Sequence, residues 1–455
     1  MKRFILGLIG FFAVGATAAA QVADTAKPAP ASHALRTIAP FELPTSVRRP
    51  WRAAAQATSI NIGINLFDRW ALDAYYARVT GASIRKNLKH QFLWDNDNFS
   101  TNLFWHPYTG GLYFNAARAN GHSFWQAVPF AVGGSYMWEV FCETQPPSIN
   151  DIIATPVGGI AFGEITHRVS HLFLDDSHRG WSRFGREMLA GIISPMDFFN
   201  RLLNGDVGRY RPRPGDATPT IPFSQINLSV ATRFIVDVDK NRSGLNMAFS
   251  AGIVYGEVFA DKDTHIPYDF FTAKVDATII GNQPFLSNAS IVGMLWGREW
   301  ETPSEQTWLA GIFQHYDYYH ARPVVSGGAI PYEFAETASF GGGMLFRIPI
   351  KNRRATLFGH VFMNGILLGA SESDYYFVDR RNYNMGNGYS MKFAVAVAKK
   401  RWSVEWNAKL YQIFTSRGYG SADIEINGLP DNADADYVNA QGNKGHTLLG
   451  IVGIE

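Results

Sequence analysis

From about residue 224 onward, apolar and polar positions alternate with a period of two, which suits a strand with one oily and one wet face. In QINLSVATRFIVDVD, Ile226, Leu228, Val230, Phe234, Val236 and Val238 share one side, and Gln225, Asn227, Ser229, Arg233 and Asp237 the other. FTAKVDATI sets Phe271, Ala273, Val275, Ala277 and Ile279 against Thr272, Lys274, Asp276 and Thr278. WSVEWNAKL sets Trp402, Val404, Trp406 and Leu410 against Ser403, Glu405, Asn407 and Lys409. Further runs begin near Leu245, Phe285, Gln306, Tyr332, Thr356, Tyr389 and His446, making about ten strands in all. The runs reach roughly nine to fifteen residues, longer than sandwich strands usually are and about what a tilted strand needs to cross a bilayer.

The same alternation recurs upstream in TSINIGINLF, where Ile60, Ile62, Ile64 and Leu66 oppose Ser59, Asn61, Gly63 and Asn65. A strand at 58–67 could pair with the last one and close the sheet, removing the open edges that hydrocarbon does not tolerate. Single-chain bacterial barrels carry an even number of strands, so the pattern predicts about twelve, with YYFVD at 375–379 as a candidate for the missing member. Tyr316, Tyr318, Tyr319 and Trp300, near strand ends, read as interfacial girdle residues.

Between Asp68 and about Tyr210 the period changes. HSFWQAVPFAVGGSYMWEVFCET and INDIIATPVGGIAFGEITHRVSHLFL read as long helices, apolar nearly all round, with small residues spaced to let neighbours approach closely. SRFGREMLAGIISPMDFFNRLLNGD reads as a third, capped at Ser182 and stopped at Gly205. The expected fold class is therefore α+β: an antiparallel transmembrane β-barrel of about twelve strands, with a helical domain inserted after the first strand and facing the periplasm or plugging the lumen. The expected boundaries are a signal peptide at 1–20, a linker at 21–57, the first strand at 58–67, the helical domain at 68–210, a second linker at 211–223 and the barrel at 224–455.

Composition narrows this further. Lys2 and Arg3, the apolar run FILGLIGFFAVG and the small residues ATAAAQ have the order of a cleavable secretory signal, with cleavage after Ala20. The 455 residues contain one cysteine, so no intramolecular disulfide can form, and the formal charge of +2 gives no electrostatic case for nucleic acid. Aromatics at 14% and 43 glycines, with no apolar run long enough for a spanning helix, suit β structure in an outer membrane.

The polar residues of the helical region form few, consistent stripes. Glu139 and Glu143 are four apart, and Glu164, His167, Arg168 and His171 follow offsets of three, four and seven. Ser148 reads as a helix N-cap, with Asp151 completing a capping-box-like start or acting chemically. Upstream, WDNDNFSTNLFWHPYTGGLYFNAAR interleaves Asp95, Asp97, His106, Tyr108, Asn115 and Arg118 with large aromatics. Glu164-x-x-His167 is the only ligand-spaced pair and lacks a repeat, so no metal and no cofactor is expected. Hydrolysis of an acyl ester would use His106, His167 or His171 as base and Ser135, Ser148 or Ser170 as nucleophile, although no G-x-S-x-G elbow is present.

WDNDNFSTNLFWHPYTGGLYFNAARANG, then GSYMWEVFCETQPPSINDIIATPVGGIAFGEITHR, then ISPMDFFNRLLNGD resemble an uncharacterised family of bacterial envelope proteins, the domain of unknown function 3943, over roughly residues 60–210. The resemblance implies a location and an architecture, not a reaction. Glu143, Pro147, Ser148, Asp151 and the glycines Gly158, Gly159 and Gly163 are also similar to the pattern of VanZ-like helical membrane proteins, which implies a helical face suited to a polar lipid or glycan head group.

The expected function is an outer-membrane barrel that binds or passes an amphipathic envelope molecule. Its expected partners are outer-membrane lipid and periplasmic envelope components, not nucleic acid. The ligand-binding candidates are Asp95, Asp97, His106, Tyr108, Asn115, Arg118, Glu139, Glu143, Ser148, Asp151, Glu164 and Arg168. A lipid-modifying acyl-ester hydrolase is the alternative, with His106, Glu143, Asp151 and His167 as catalytic candidates converging on one cleft. A passive plugged barrel is the third reading.

Overall fold

A computed structural model of the chain describes residues 47–95, 97–212, 224–237, 242–259, 265–324, 330–350, 354–372, 383–399, 402–416 and 446–454. Among these, seven α-helices precede ten β-strands. The helices are α1 (Pro50–Trp70), α2 (Gly81–Asn87), α3 (His106–Arg118), α4 (Phe124–Met137), α5 (Ile149–Phe173), α6 (Gly180–Ile193) and α7 (Pro195–Leu203). The π-helical turns Thr101–Trp105 and Trp138–Cys142 lead into α3 and follow α4. The strands are β1 (Ser224–Asp237), β2 (Arg242–Tyr255), β3 (Phe271–Ile280), β4 (Leu286–Glu301), β5 (Thr307–His320), β6 (Glu333–Ile350), β7 (Ala355–Glu372), β8 (Tyr383–Lys399), β9 (Trp402–Thr415) and β10 (His446–Ile454).

The strands form one antiparallel meander in sequence order, curled into a barrel-like sheet with β1 and β10 at its ends among the described residues. Ten strands lie among the described residues, beside an expectation of about twelve; the candidate at 375–379 lies outside the described residues, as does the expected signal peptide. Asp317 on β5 meets Lys392 on β8 at 2.5 Å and Lys409 on β9 at 3.2 Å. Three strand spacings cover about 14 Å on a flat sheet, too far for these side chains to meet, so this face must be the concave one. The wet side of the alternation therefore turns inward.

The oily side turns outward. Leu228, Val275, Met363, Trp402, Val404 and Leu448 are exposed on their strands. On β5 the residues alternating with His315 and Asp317 are Gln314, Tyr316 and Tyr318, and these bond to the helical segment. Gln314 donates to the carbonyl of Val157 at 2.6 Å, Tyr316 to that of Leu103 at 2.6 Å, and Tyr318 shares a hydrogen bond with Ser100 at 2.9 Å. The helices thus lie against the outer wall of the sheet and do not plug its lumen. Tyr316 and Tyr318, read from sequence as girdle residues, are buried in this seam together with Phe114, Phe124, Phe271 and Ile291.

The expected first strand is the largest correction. Residues 58–67 lie inside α1, whose first turn holds Pro50 and the alanines of PWRAAAQ, a favourable helix start. Its buried stripe is Ala53, Ala57, Asn61 and Asp68, at helical spacing, while Ile62 and Leu66 of the apparent alternation point to solvent. Asn61 donates to the carbonyl of Gly134 at 2.9 Å and accepts from the Tyr113 hydroxyl, tying the helix to α3 and α4. Among the described residues, no strand precedes the helical body. The expected third helix is also two, because Pro195 has no N–H to continue the turn after Ser194; the first of them starts at Gly180, ahead of Ser182. Gly205 stops α7 as expected, at φ +67°.

α3 and α5 form the centre of the helical body and touch through glycine. A Cβ on Gly159 would sit 2.4 Å from the carbonyl carbon of Gly110, and one on Gly110 would sit 1.7 Å from the carbonyl oxygen of Thr155. Only a missing side chain at both positions allows this approach.

Candidate functional site

Two clusters of polar side chains occupy the helical body, one at each end of α5. Thirteen residues separate Asp151 from Glu164, which is about 20 Å along a helix.

The first cluster is acidic. Leu93 pairs with the start of α5, its N–H donating to the Pro147 carbonyl at 2.9 Å and its carbonyl accepting from Ile149 at 2.7 Å. That pairing delivers Asp95 to the helix start, where its N–H donates to Asn150 at 3.1 Å. Asn102, on the first π-helical turn, donates to Asp95 at 2.5 Å and to the Tyr383 hydroxyl of β8 at 2.9 Å. His106 follows that turn, and its Nε2 stands 3.6 Å from an Asp151 oxygen. The second π-helical turn carries Glu139, which accepts from the Ser148 N–H at 2.7 Å. Wide turns of this kind recur at functional sites.

Burial pushes the Glu139 carboxyl up to about 8, with Asp95 adding repulsion against the Ser148 hydrogen bond. Burial and the neighbouring carboxylates push Glu143 and Asp151 well above the ordinary range. His106 is held below its usual value by burial, with Asp95 opposing. Ser148 occupies the N-cap position as expected but makes no side-chain cap, and Asp151 bonds to Asn150 at 2.8 Å within the cluster.

The second cluster is mixed in charge. Glu164 is fully buried and takes Arg118 at 2.6 and 3.0 Å and Arg168 at 2.7 Å. Burial alone would raise this carboxyl; the two guanidiniums more than reverse that and hold it down at about 2. Arg168 also donates to the Pro267 carbonyl at 2.9 Å, tying α5 to the segment before β3. One turn on, His167 contacts both Asp197 oxygens through Nδ1, at 2.9 and 2.8 Å. Ser194 donates to Asp197 at 2.6 Å and Ser170 at 3.3 Å, while His171 Nε2 lies 3.8 Å away. Against the cost of burial, these partners keep Asp197 ionised, and burial keeps His167 below its ordinary value. Asn115 joins this side, donating to Thr166 at 2.9 Å.

A cleft of about 960 Å³ opens over the second cluster. Arg118, His167, Arg168, His171, Asp197 and Arg201 give it polar walls; Phe124, Trp125, Ile266 and Pro267 give it apolar ones.

The sequence-derived candidates therefore do not share one cleft. His106, Glu143 and Asp151 belong to the acidic cluster with Asp95, Asp97, Glu139 and Ser148, whereas Arg118, Glu164, His167 and Arg168 belong to the cleft. Tyr108 is half-buried and packs edge-on to Trp105 at 5.9 Å. Sequence reading missed Asp197, which the Ser194–Pro195 break brings under His167, and Asn102, which only the π-helical turn aims at Asp95. It also missed the lumen network, where Lys392 binds Glu336 at 2.6 Å as well as Asp317, and Tyr411 donates to Asp317 at 2.8 Å. The alternating wet faces carried that signal, but no strand by itself names its partners.

No curated protein and no solved structure matches the chain. Residues 91–196, which hold both ends of α5 and almost all of the two clusters, match the model of the family described as Domain of unknown function (DUF3943).

Proposed function

We propose that this is an outer-membrane β-barrel protein that binds, without conducting, an amphipathic envelope molecule, whose polar head enters the cleft above His167 and Asp197. The observation that carries the reading is the cleft itself: arginines and histidines on one wall, Trp125 and Phe124 on the other. Three features support the setting. The sheet exposes oily residues outward and buries polar ones inward, the arrangement a bilayer stabilises. On α6, Trp181, Phe184, Met188 and Ile192 form an exposed apolar stripe at helical spacing, as in helices that lie in a membrane interface. The lumen is crossed by the Asp317–Lys392–Lys409 network and by Phe313 against Phe362 at 4.9 Å, which argues against a wide channel. Among the described residues no helix is long and apolar enough to cross a membrane, so in this reading strands do the spanning.

A second reading, ester hydrolysis of the bound molecule, is favoured by one observation. His167 is oriented through Nδ1 by a buried carboxylate and lines the cleft, as a general base would. Ser170 and Ser194 both donate to Asp197, so water would have to serve as the nucleophile.

The test is lipid analysis by mass spectrometry of the full-length protein purified from membranes, beside His171→Ala and Trp125→Ala. A lipid class that copurifies with the parent and is depleted from both variants supports binding. Equal lipid content in all three overturns it. A cleaved lipid that accumulates with the parent and not with His167→Ala would move the assignment to hydrolysis.

A further inference from the structure

We propose that Asp95, Asp97, His106 and Asp151 hold a divalent cation at the acidic end of α5. Ligand atoms of Asp95, Asp97 and His106 all lie within 4.8 Å of one another. His106 Nε2 and the Asp151 oxygen, 3.6 Å apart, are too distant for a hydrogen bond. That spacing is a few tenths of an ångström wider than that of two neighbouring ligands on one ion, which stand about 3.0–3.4 Å apart when metal–ligand bonds are about 2.1–2.4 Å, so a bound ion would draw the two side chains together.

Two further atoms point to a ligand independently of the carboxylates. His106 Nε2 is buried without a hydrogen-bond partner. Asn102 is fully buried beside the cluster, its amide nitrogen donating to Asp95, and its amide oxygen also has no partner. A buried acceptor without a donor costs roughly 1–3 kcal/mol, and a cation beside it would remove that cost. The only ion pair of Asp151 among the described residues is the one with His106.

The donor set is three carboxylates, one imidazole and an amide oxygen. Such an oxygen-rich set suits a hard, six-coordinate ion and does not suit tetrahedral zinc; the single imidazole favours Mn²⁺ over Ca²⁺. Bound there, the ion would clamp the segment after Leu93 to the start of α5, to the first π-helical turn and to the start of α3. This departs from the sequence expectation of no metal, because the ligands come from three separate segments and show no ligand spacing along the chain.

The experiment uses full-length protein purified in detergent, stripped with EDTA and titrated with Mn²⁺, reading free Mn²⁺ by electron paramagnetic resonance and stability by thermal melt. A single tight Mn²⁺ per chain that raises Tm is expected. Asp151→Asn and His106→Gln each weaken it by at least about tenfold, and His171→Ala at the far cluster leaves it unchanged. Both test substitutions keep side-chain volume, and Asp151→Asn relieves repulsion, so folding is retained; heat-modifiability on gels checks this. Two results overturn the proposal. One is no binding of Mn²⁺, Mg²⁺ or Ca²⁺ by the parent. The other is Mn²⁺ binding that both variants retain at full strength.

Discussion

Replacing Glu164 with glutamine removes one charge from the centre of the helical body and leaves two buried guanidiniums facing each other. The carboxyl is fully buried and titrates at about 2, against an ordinary value of 4.5. That difference corresponds to about 3 kcal/mol of folding stability at neutral pH. Breaking a buried ion pair by removing one partner costs about 3–5 kcal/mol in other proteins, which brackets the same figure. The sign follows from the depressed value: this stabilisation is complete above about pH 4.5 and is lost as pH falls toward 2. The assay is guanidinium unfolding in detergent followed by circular dichroism at 222 nm, where the helices dominate, repeated from pH 7 downward. Glu164→Gln is expected to lose about 3 kcal/mol at pH 7 and to shed less further stability between pH 4.5 and 2 than the parent does. Adding Arg118→Met should cost less than the sum of the two single changes, since the orphaned cation is then gone. A loss below about 1 kcal/mol at pH 7, or identical acid slopes for parent and variant, would refute the ion-pair account.

Two further predictions test the packing and the outer wall. Gly159→Ala must push α3 from α5, because its new carbon meets backbone at 2.4 Å, and should lower stability by about 1–3 kcal/mol. Gly63→Ala, in α1 with open space around it, should raise stability by about 0.5–1 kcal/mol in the same melts. Met363→Lys, at mid-strand on β7 and 62% exposed, should cost about 2–4 kcal/mol in folding into lipid vesicles and little in the lumen-facing contacts. Vesicle folding unchanged by that lysine would place the outer wall in water.

The sequence by itself determined which residues share a face. Alternation over 224–237, 271–280 and 402–415 set the strands and sorted oily from wet, because a strand's side-chain period is two whatever it packs against. Helical spacing did the same for Glu164, His167, Arg168 and His171, and the small residues of α5 announced that some neighbour approaches closely, which the structure shows to be α3. Which face turns inward was decided only by curvature, a property of ten strands together: it put Asp317, Lys392 and Lys409 in reach of one another and left the helices on the outer wall. Residues 58–67 fit both periods over so short a window, and long-range bonds from Asn61 to α3 and α4 favoured the helix. The candidate residues divided into two clusters because α5 is a rigid rod: it holds Asp151 and Glu164 about 20 Å apart however alike their chemistry looks in the sequence.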